Sequence, residues 1–144
     1  METTSPVTTI TIRKATRDDL DALAEFLKTF VAEGHVLPRT FQELEDLVDT
    51  LFIAEMDGEL VGTAALEIYS KKLAELRSLA VSPKAQGNGV GKKLVAACVE
   101  LGEERGIFEI MAISHEEAFF KACGFDFTLP NLRKAFFIQT RDDL

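Results

Sequence analysis

The sequence predicts an α+β fold: a mixed, mostly antiparallel sheet with helices on both faces, in the order βααβββαβαβ. Three observations carry that prediction. Apolar periodicity switches along the chain between two and about 3.6 residues, so strands and helices are interleaved. In the middle of the chain Asp57-Gly58 lies between two apolar runs, the strongest short hairpin signal there is. Further on, a strand, a glycine loop, a helix and another strand follow in succession, a β-α-β unit whose helix must pack on the sheet.

Taken in order, residues 8–14 alternate apolar and polar and read as a first strand. Thr16-Arg17-Asp18-Asp19 has the look of a helix start with an acidic first turn. Leu20, Leu23, Phe26, Leu27, Phe30 and Val31 follow at helical spacing, and Gly34 ends the run. His35 to Arg39 contains Pro38 and is a loop. Thr40-Phe41-Gln42-Glu43 forms a capping box for a short second helix through Leu44, Leu47 and Val48. Leu51 to Met56 and Glu59 to Ile68 are the hairpin strands, and residues 74–82 are a further strand reached through a turn at Ser70-Lys71-Lys72. Pro83 to Gly91 is a loop, and Val90, Leu94, Val95, Cys98 and Leu101 mark a helix over 90–105 that stops at Gly106. Ile107 to Ala112 is an apolar strand, Glu116 to Cys123 a short helix, and Lys134 to Thr140 a last strand.

The 144 residues suit one domain, residues 1–144, with 1–7 as a flexible start. A content of 47% hydrophobic and 28% charged residues allows a buried core. There is no long apolar run, and Met1 to Pro6 lack the basic start and apolar stretch of a secretory signal. The expectation is a cytoplasmic protein without a membrane span. A net charge of −8 argues against nucleic acid as partner, because that affinity needs a basic surface. The clusters Lys71-Lys72 with Arg77 and Arg133-Lys134 read as solvated charge. Cys98 and Cys123 read as reduced thiols in apolar surroundings, and two scattered histidines, His35 and His115, do not make a metal site. Two-fold dimers are the commonest soluble assembly, so a homodimer is the default expectation.

The informative segment is Gln86-Gly87-Asn88-Gly89-Val90-Gly91. Glycines at alternating positions let backbone approach a ligand, and a helix beginning there offers unpaired amides and a dipole to an anion such as pyrophosphate. It is not a nucleotide P-loop: Gly91-Lys92 is followed by Lys93 rather than Ser or Thr, and Gln86 stands where the first glycine belongs. Nor is it a dinucleotide fingerprint, since Lys92 occupies the third glycine position. A tight structural turn without ligand remains as the plain alternative.

Glu75-Leu76-Arg77-Ser78-Leu79-Ala80-Val81-Ser82-Pro83 followed by that loop resembles the central motif of the GNAT superfamily of acetyl-CoA-dependent N-acetyltransferases. Gln86, Gly89 and Gly91 meet its Arg/Gln-x-x-Gly-x-Gly/Ala pattern, and Phe119 to Phe125 is similar to its later helix-to-strand signature. The resemblance spans about residues 10–140. It implies that Gln86, Gly87, Asn88, Gly89, Val90 and Gly91 hold the pyrophosphate of acetyl-CoA. It implies too that the edge of Leu79, Ala80 and Val81 pairs with the pantetheine arm, and that an N–H of Leu79 or Ala80 stabilises the oxyanion. The amine attacks directly, and Glu75 is the implied base, with Arg77 and Leu79 expected on the same strand face.

The chain departs from the pattern at one place that matters. Phe120 stands where relatives carry a tyrosine acid for the departing thiolate, so water is left as its proton source, with Tyr69 as the other candidate. His115 replaces a frequent asparagine. A narrower similarity, to N-acetylglutamate-synthase-like members, rests on Val36 to Thr40, Ala74-Glu75-Leu76 and Phe120. It implies an amino-acid acceptor such as glutamate, whose carboxylate Arg39, Arg77 or Lys134 would bind while Tyr69 lines the acceptor side. A protein or peptide amine is the rival acceptor. A non-catalytic acyl-CoA sensor is the rival class.

Overall fold

The computed structural model describes residues 9–127 and 135–142. The chain divides between Ala112 and Ile113 into two units. In the first, β1 (Ile10–Lys14) leads through a 3-10 turn at Arg17–Asp19 into α1 (Leu20–Ala32), then α2 (Phe41–Leu47). The strands β2 (Leu51–Met56), β3 (Glu59–Ile68) and β4 (Leu73–Val81) follow, then α3 (Val90–Glu104) and β5 (Glu109–Ala112). The second unit holds α4 (Glu117–Ala122).

The five strands lie in sequence order, antiparallel from β1 to β4, with β5 added parallel to β4. Asp57-Gly58 makes the β2–β3 turn with both residues at positive φ, as that dipeptide favours. The helices begin where local chemistry dictates. The Thr40 hydroxyl accepts from Glu43 N–H at 3.1 Å while the Glu43 carboxylate accepts from Thr40 N–H at 2.9 Å, satisfying two orphan donors of α2. Asp19 does the same for the turn before α1 and is also gripped by Arg13 at 2.8 and 2.9 Å, which ties that helix to β1.

One face of the sheet carries α1 and α2. Leu20, Leu23 and Leu27 of α1 and Leu44 and Leu47 of α2 are buried in one cluster with Leu51, Ile53, Ala65 and Ala80 of the strands. The alternate residues face α3, whose Val90, Leu94, Val95, Cys98 and Leu101 are buried at the expected positions. Each such aliphatic side chain contributes roughly 1.5–3 kcal/mol by leaving water. Gly62 lets α3 close on β3: a Cβ there would lie 3.0 Å from Leu94 Cδ1 and 3.2 Å from the Ala80 carbonyl oxygen.

Three expectations need correction or placement. The strand expected over 107–112 is shorter, Glu109–Ala112, because Ile107 still bonds back to Gly102 O in the closing turn of α3. The strand expected over 134–140 is absent among the described residues: 135–140 form no ladder, and Phe136, Phe137 and Ile138 are exposed. A β pattern has no internal hydrogen bonds, so apolar β-formers become a strand only against a partner edge. The expected flexible start over 1–7, Arg133 and Lys134 lie outside the described residues.

Candidate functional site

The site is built on β4. Its antiparallel register with β3 runs Ala74↔Ile68, Glu75↔Glu67, Leu76↔Leu66 and Arg77↔Ala65, then slips: Ala80 pairs with Thr63, so three steps on β4 match two on β3. The extra residue is a β-bulge, and Ser78 within it adopts φ 56°, a left-handed conformation that serine rarely takes. The slip moves Ala80 onto the face of Glu75 and Arg77. Leu79 therefore does not share that face, contrary to the uninterrupted alternation its spacing implies.

The bulge also ends the pairing with β5, whose last matched residues are Leu76 and Ala112. Beyond it, Leu79 to Val81 pair on one side only among the described residues. Ser82 N–H donates to Val61 O at 2.7 Å, which puts the polar groups of Ser82, and by alternation of Ala80, toward β3. Those of Leu79 and Val81 turn to the open edge.

Past that edge comes the glycine loop. Gly87 and Gly89 hold φ 86° and 73°, and a Cβ at either would meet nothing within 4 Å, so conformation rather than crowding demands glycine. Gly89 is the residue before α3, and no side chain caps the helix start. The first amides of α3 consequently have no intrahelical partner. Asn88 fixes the loop from within, its side-chain amide donating to Ala85 O at 3.1 Å. Gln86 and Asn88 are exposed, Val90 is buried as the first core contact of α3, and Gly91 is half-buried.

On the α2 side of β4 lies a polar network. Glu75 is 8% exposed, the one buried carboxylate among the described residues. It faces Glu67 across the strands, and two arginines and a phenol compensate the paired negative charges. Arg77 lies 3.1 Å from Glu67 and 3.8 Å from Glu75. Arg39, from the loop before α2, reaches Glu67 at 3.4 Å and donates from Nε to the Ser78 hydroxyl at 3.1 Å. The Tyr69 hydroxyl donates to Glu75 Oε1 at 2.6 Å and lies 3.1 Å from Glu67 Oε2. Burial works against the charge of Arg77, but its hydrogen bond with Tyr69 and the two carboxylates raise its pKa overall. The network thus joins Arg39, Tyr69, Glu75 and Arg77, all expected from the sequence, through Glu67, which was not. The signal that could have found Glu67 is the hairpin register, which sets it opposite Glu75.

A cleft of about 570 Å³ opens beside this network, lined by Arg39, Glu43, Asp46, Glu67, Lys71 and Arg105 among others. Charges of both signs therefore meet there.

Burial pushes the Cys98 thiol up to about 12, which makes it a core group and no nucleophile. In the second unit Phe120 packs edge-on against Phe119 and Phe125, with ring centres 5.0 and 5.4 Å away, and His115 is exposed. Among the described residues no three His, Cys, Asp or Glu side chains group as metal ligands, and no helix is long and apolar enough to cross a membrane.

Comparison with known proteins is consistent with this geometry. The model of a family described as acetyltransferase (GNAT) matches residues 18–125. An uncharacterized N-acetyltransferase of Chlorobaculum tepidum is 28% identical over 134 residues, covering 93% of this chain and 84% of that protein. An amino-acid acetyltransferase of Neisseria meningitidis is 33% identical over 106 residues, 73% of this chain and 24% of that one. Among solved structures, N-acetylglutamate synthase from Neisseria gonorrhoeae, complexed with coenzyme A and N-acetyl-glutamate, superposes with a TM-score of 0.71 at 31% identity, covering 79% of this chain and 27% of that one. The chain thus spans about a quarter of the length of these two Neisseria proteins.

Proposed function

This chain belongs to the GNAT family of acetyltransferases, and on that footing we propose that it transfers the acetyl group of acetyl-CoA to the α-amine of an amino acid. The observation that carries the proposal is the bulge at Ser78, which opens the edge of β4 directly before the uncapped start of α3.

The residues present suit the cofactor. Gln86 N–H is bonded to Pro83 O at 3.3 Å, which leaves the amides of Gly87 to Gly91 to be offered to the pyrophosphate, and the two left-handed glycines shape that loop. Leu79 and Val81 present polar groups along the free edge, where the pantetheine arm adds like a strand. Acetyl-CoA supplies an activated thioester. The outward N–H of Leu79 is the donor for the developing oxyanion, worth about 3 kcal/mol in comparable sites.

The amine attacks only when neutral. Glu75 takes its proton through water, the C–N bond forms, the C–S bond breaks, and water protonates the thiolate because Phe120 has no proton to give. The N. gonorrhoeae synthase was crystallised with N-acetyl-glutamate, which supports an amino-acid acceptor for this chain. Arg39 and Arg77 are the cations for the acceptor carboxylate, exchanging part of their bonding to Glu67 for it.

Thiol release from acetyl-CoA, measured with free amino acids and with peptides, tests the reading. Turnover with amino acids supports it. Turnover on peptides alone replaces the acceptor class, and coenzyme A binding without any turnover would leave a sensor domain.

A further inference from the structure

We propose that Tyr69 is a positioning residue for the base: its hydroxyl clamps one oxygen of Glu75 so that the other is presented to the acceptor. The inference rests on the assignment of Glu75 above and adds a residue to it.

The clamp is rigid at both ends. Tyr69 leaves β3 at a tight turn where its N–H bonds to Leu73 O at 3.0 Å, and Glu75 sits two residues into the returning strand run. The residue is 51% exposed, yet its hydroxyl is turned inward onto the carboxylates. Among the described residues it is the one side-chain donor within hydrogen-bond reach of Glu75, and it engages Oε1. Arg77 stands at 3.8 Å from the same oxygen and is closer to Glu67, to which Arg39 also binds. Glu43 of α2 faces Arg39 at 4.0 Å and completes the charged surroundings.

The choice of a phenol has a chemical reason. A full cation in hydrogen-bond contact stabilises a carboxylate strongly and makes it a poorer base. A neutral phenol orients the carboxylate with less loss of basicity. The same contact acts back on the tyrosine: burial and the hydrogen bond to Glu75 push its phenol up to about 12. Such a phenol keeps its proton, as an orienting donor must.

Tyr69 is the sole tyrosine and there is no tryptophan, so phenolate absorbance near 295 nm reports the ionisation of Tyr69 alone. Glu75→Gln should lower the ionisation midpoint of Tyr69 from about 12, with burial keeping part of the rise. Tyr69→Phe should lower kcat about tenfold and leave the KM for acetyl-CoA unchanged. If Glu75→Gln abolishes turnover while Tyr69→Phe keeps wild-type kcat, the clamp is refuted and the base stands. If Glu75→Gln leaves the rate intact, or the wild-type chain turns over no amine, the base falls and the clamp with it. A tyrosine midpoint unmoved by Glu75→Gln overturns the clamp whatever the kinetics.

Discussion

Replacing Gly89 by alanine isolates the loop backbone from every side-chain contact. The residue sits at φ 73°, ψ 15° immediately before α3, and an added Cβ would meet nothing within 4 Å. The penalty is therefore conformational: the left-handed region costs an L-residue about 1–2 kcal/mol. Stiffening of the unfolded chain works against this measurement, adding roughly 0.4–1 kcal/mol of stability. About 1 kcal/mol of net destabilisation remains.

How it is expressed depends on the free protein. If the loop keeps its shape without ligand, Gly89→Ala lowers the melting temperature of the free form and leaves coenzyme A affinity alone. If the loop relaxes, the free form is spared and the affinity falls about fivefold, the equivalent of 1 kcal/mol. Either way the coenzyme-A-saturated protein loses the whole amount, since the bound state requires the left-handed turn. Thermal unfolding at saturating coenzyme A should show a drop of roughly 2–4 °C for a chain of this size. A saturated variant as stable as saturated wild type would falsify the assignment of this loop to the diphosphate.

Gly62→Ala should behave differently. Its Cβ would press on Leu94 and the Ala80 carbonyl, so overpacking of about 1–3 kcal/mol should appear in the melting temperature with or without coenzyme A. Leu94→Ala empties a fully buried position between α3 and the sheet, and urea unfolding should report a loss of about 2–5 kcal/mol. Arg77→Ala removes a charge-assisted contact proposed for the acceptor carboxylate, and steady-state kinetics should show the acceptor KM rising roughly tenfold or more with little change for acetyl-CoA. Asp19→Asn should cost about 1 kcal/mol at neutral pH, a figure discounted because Arg13 is partly exposed. Hydrogen bonds from Arg13, working against burial, hold the Asp19 carboxyl well below the usual carboxylate range. The stability it contributes is therefore complete above the unfolded carboxyl's pKa of about 3.9 and is lost as pH falls below that; Asp19→Asn should flatten this part of the acid-unfolding curve.

The elements that sequence reasoning placed well are those stabilised by neighbours in the chain. Thr40 and Glu43 cap the helix whose first turn they form, Asp57-Gly58 turns the strands that flank it, and the stripe from Val90 to Leu101 is a periodicity of one helix. What escaped is set by distant partners. Residues 135–140 have a strand-like composition and no ladder, because their hydrogen bonds would have to come from elsewhere. Glu67 reads as a polar interruption in an apolar strand until the register sets it against Glu75. The bulge is the hardest of all. Serine has no preference for positive φ, and the one trace in the sequence is the break in alternation at Arg77-Ser78, after which the apolar positions move from Ala74 and Leu76 to Leu79 and Val81.

That hidden irregularity explains why the two halves of the site belong to one strand. An uninterrupted β4 would keep its pairing with β5 and bury the edge that the proposed cofactor arm needs. One extra residue ends the pairing after Leu76 and returns Ala80 to the core face it needs for burial. Below the bulge the strand holds Glu75, the proposed base, and Arg77. Above it the same strand offers free backbone and leads into the glycine turn. Arg39 binds both the Ser78 hydroxyl in the bulge and Glu67 in the network, so the loop before α2, the base and the open edge are mechanically linked. On the proposed assignment a single left-handed serine divides β4 into a segment for the proton and a segment for the thioester, and it is there that a change of acceptor or of rate should be sought first.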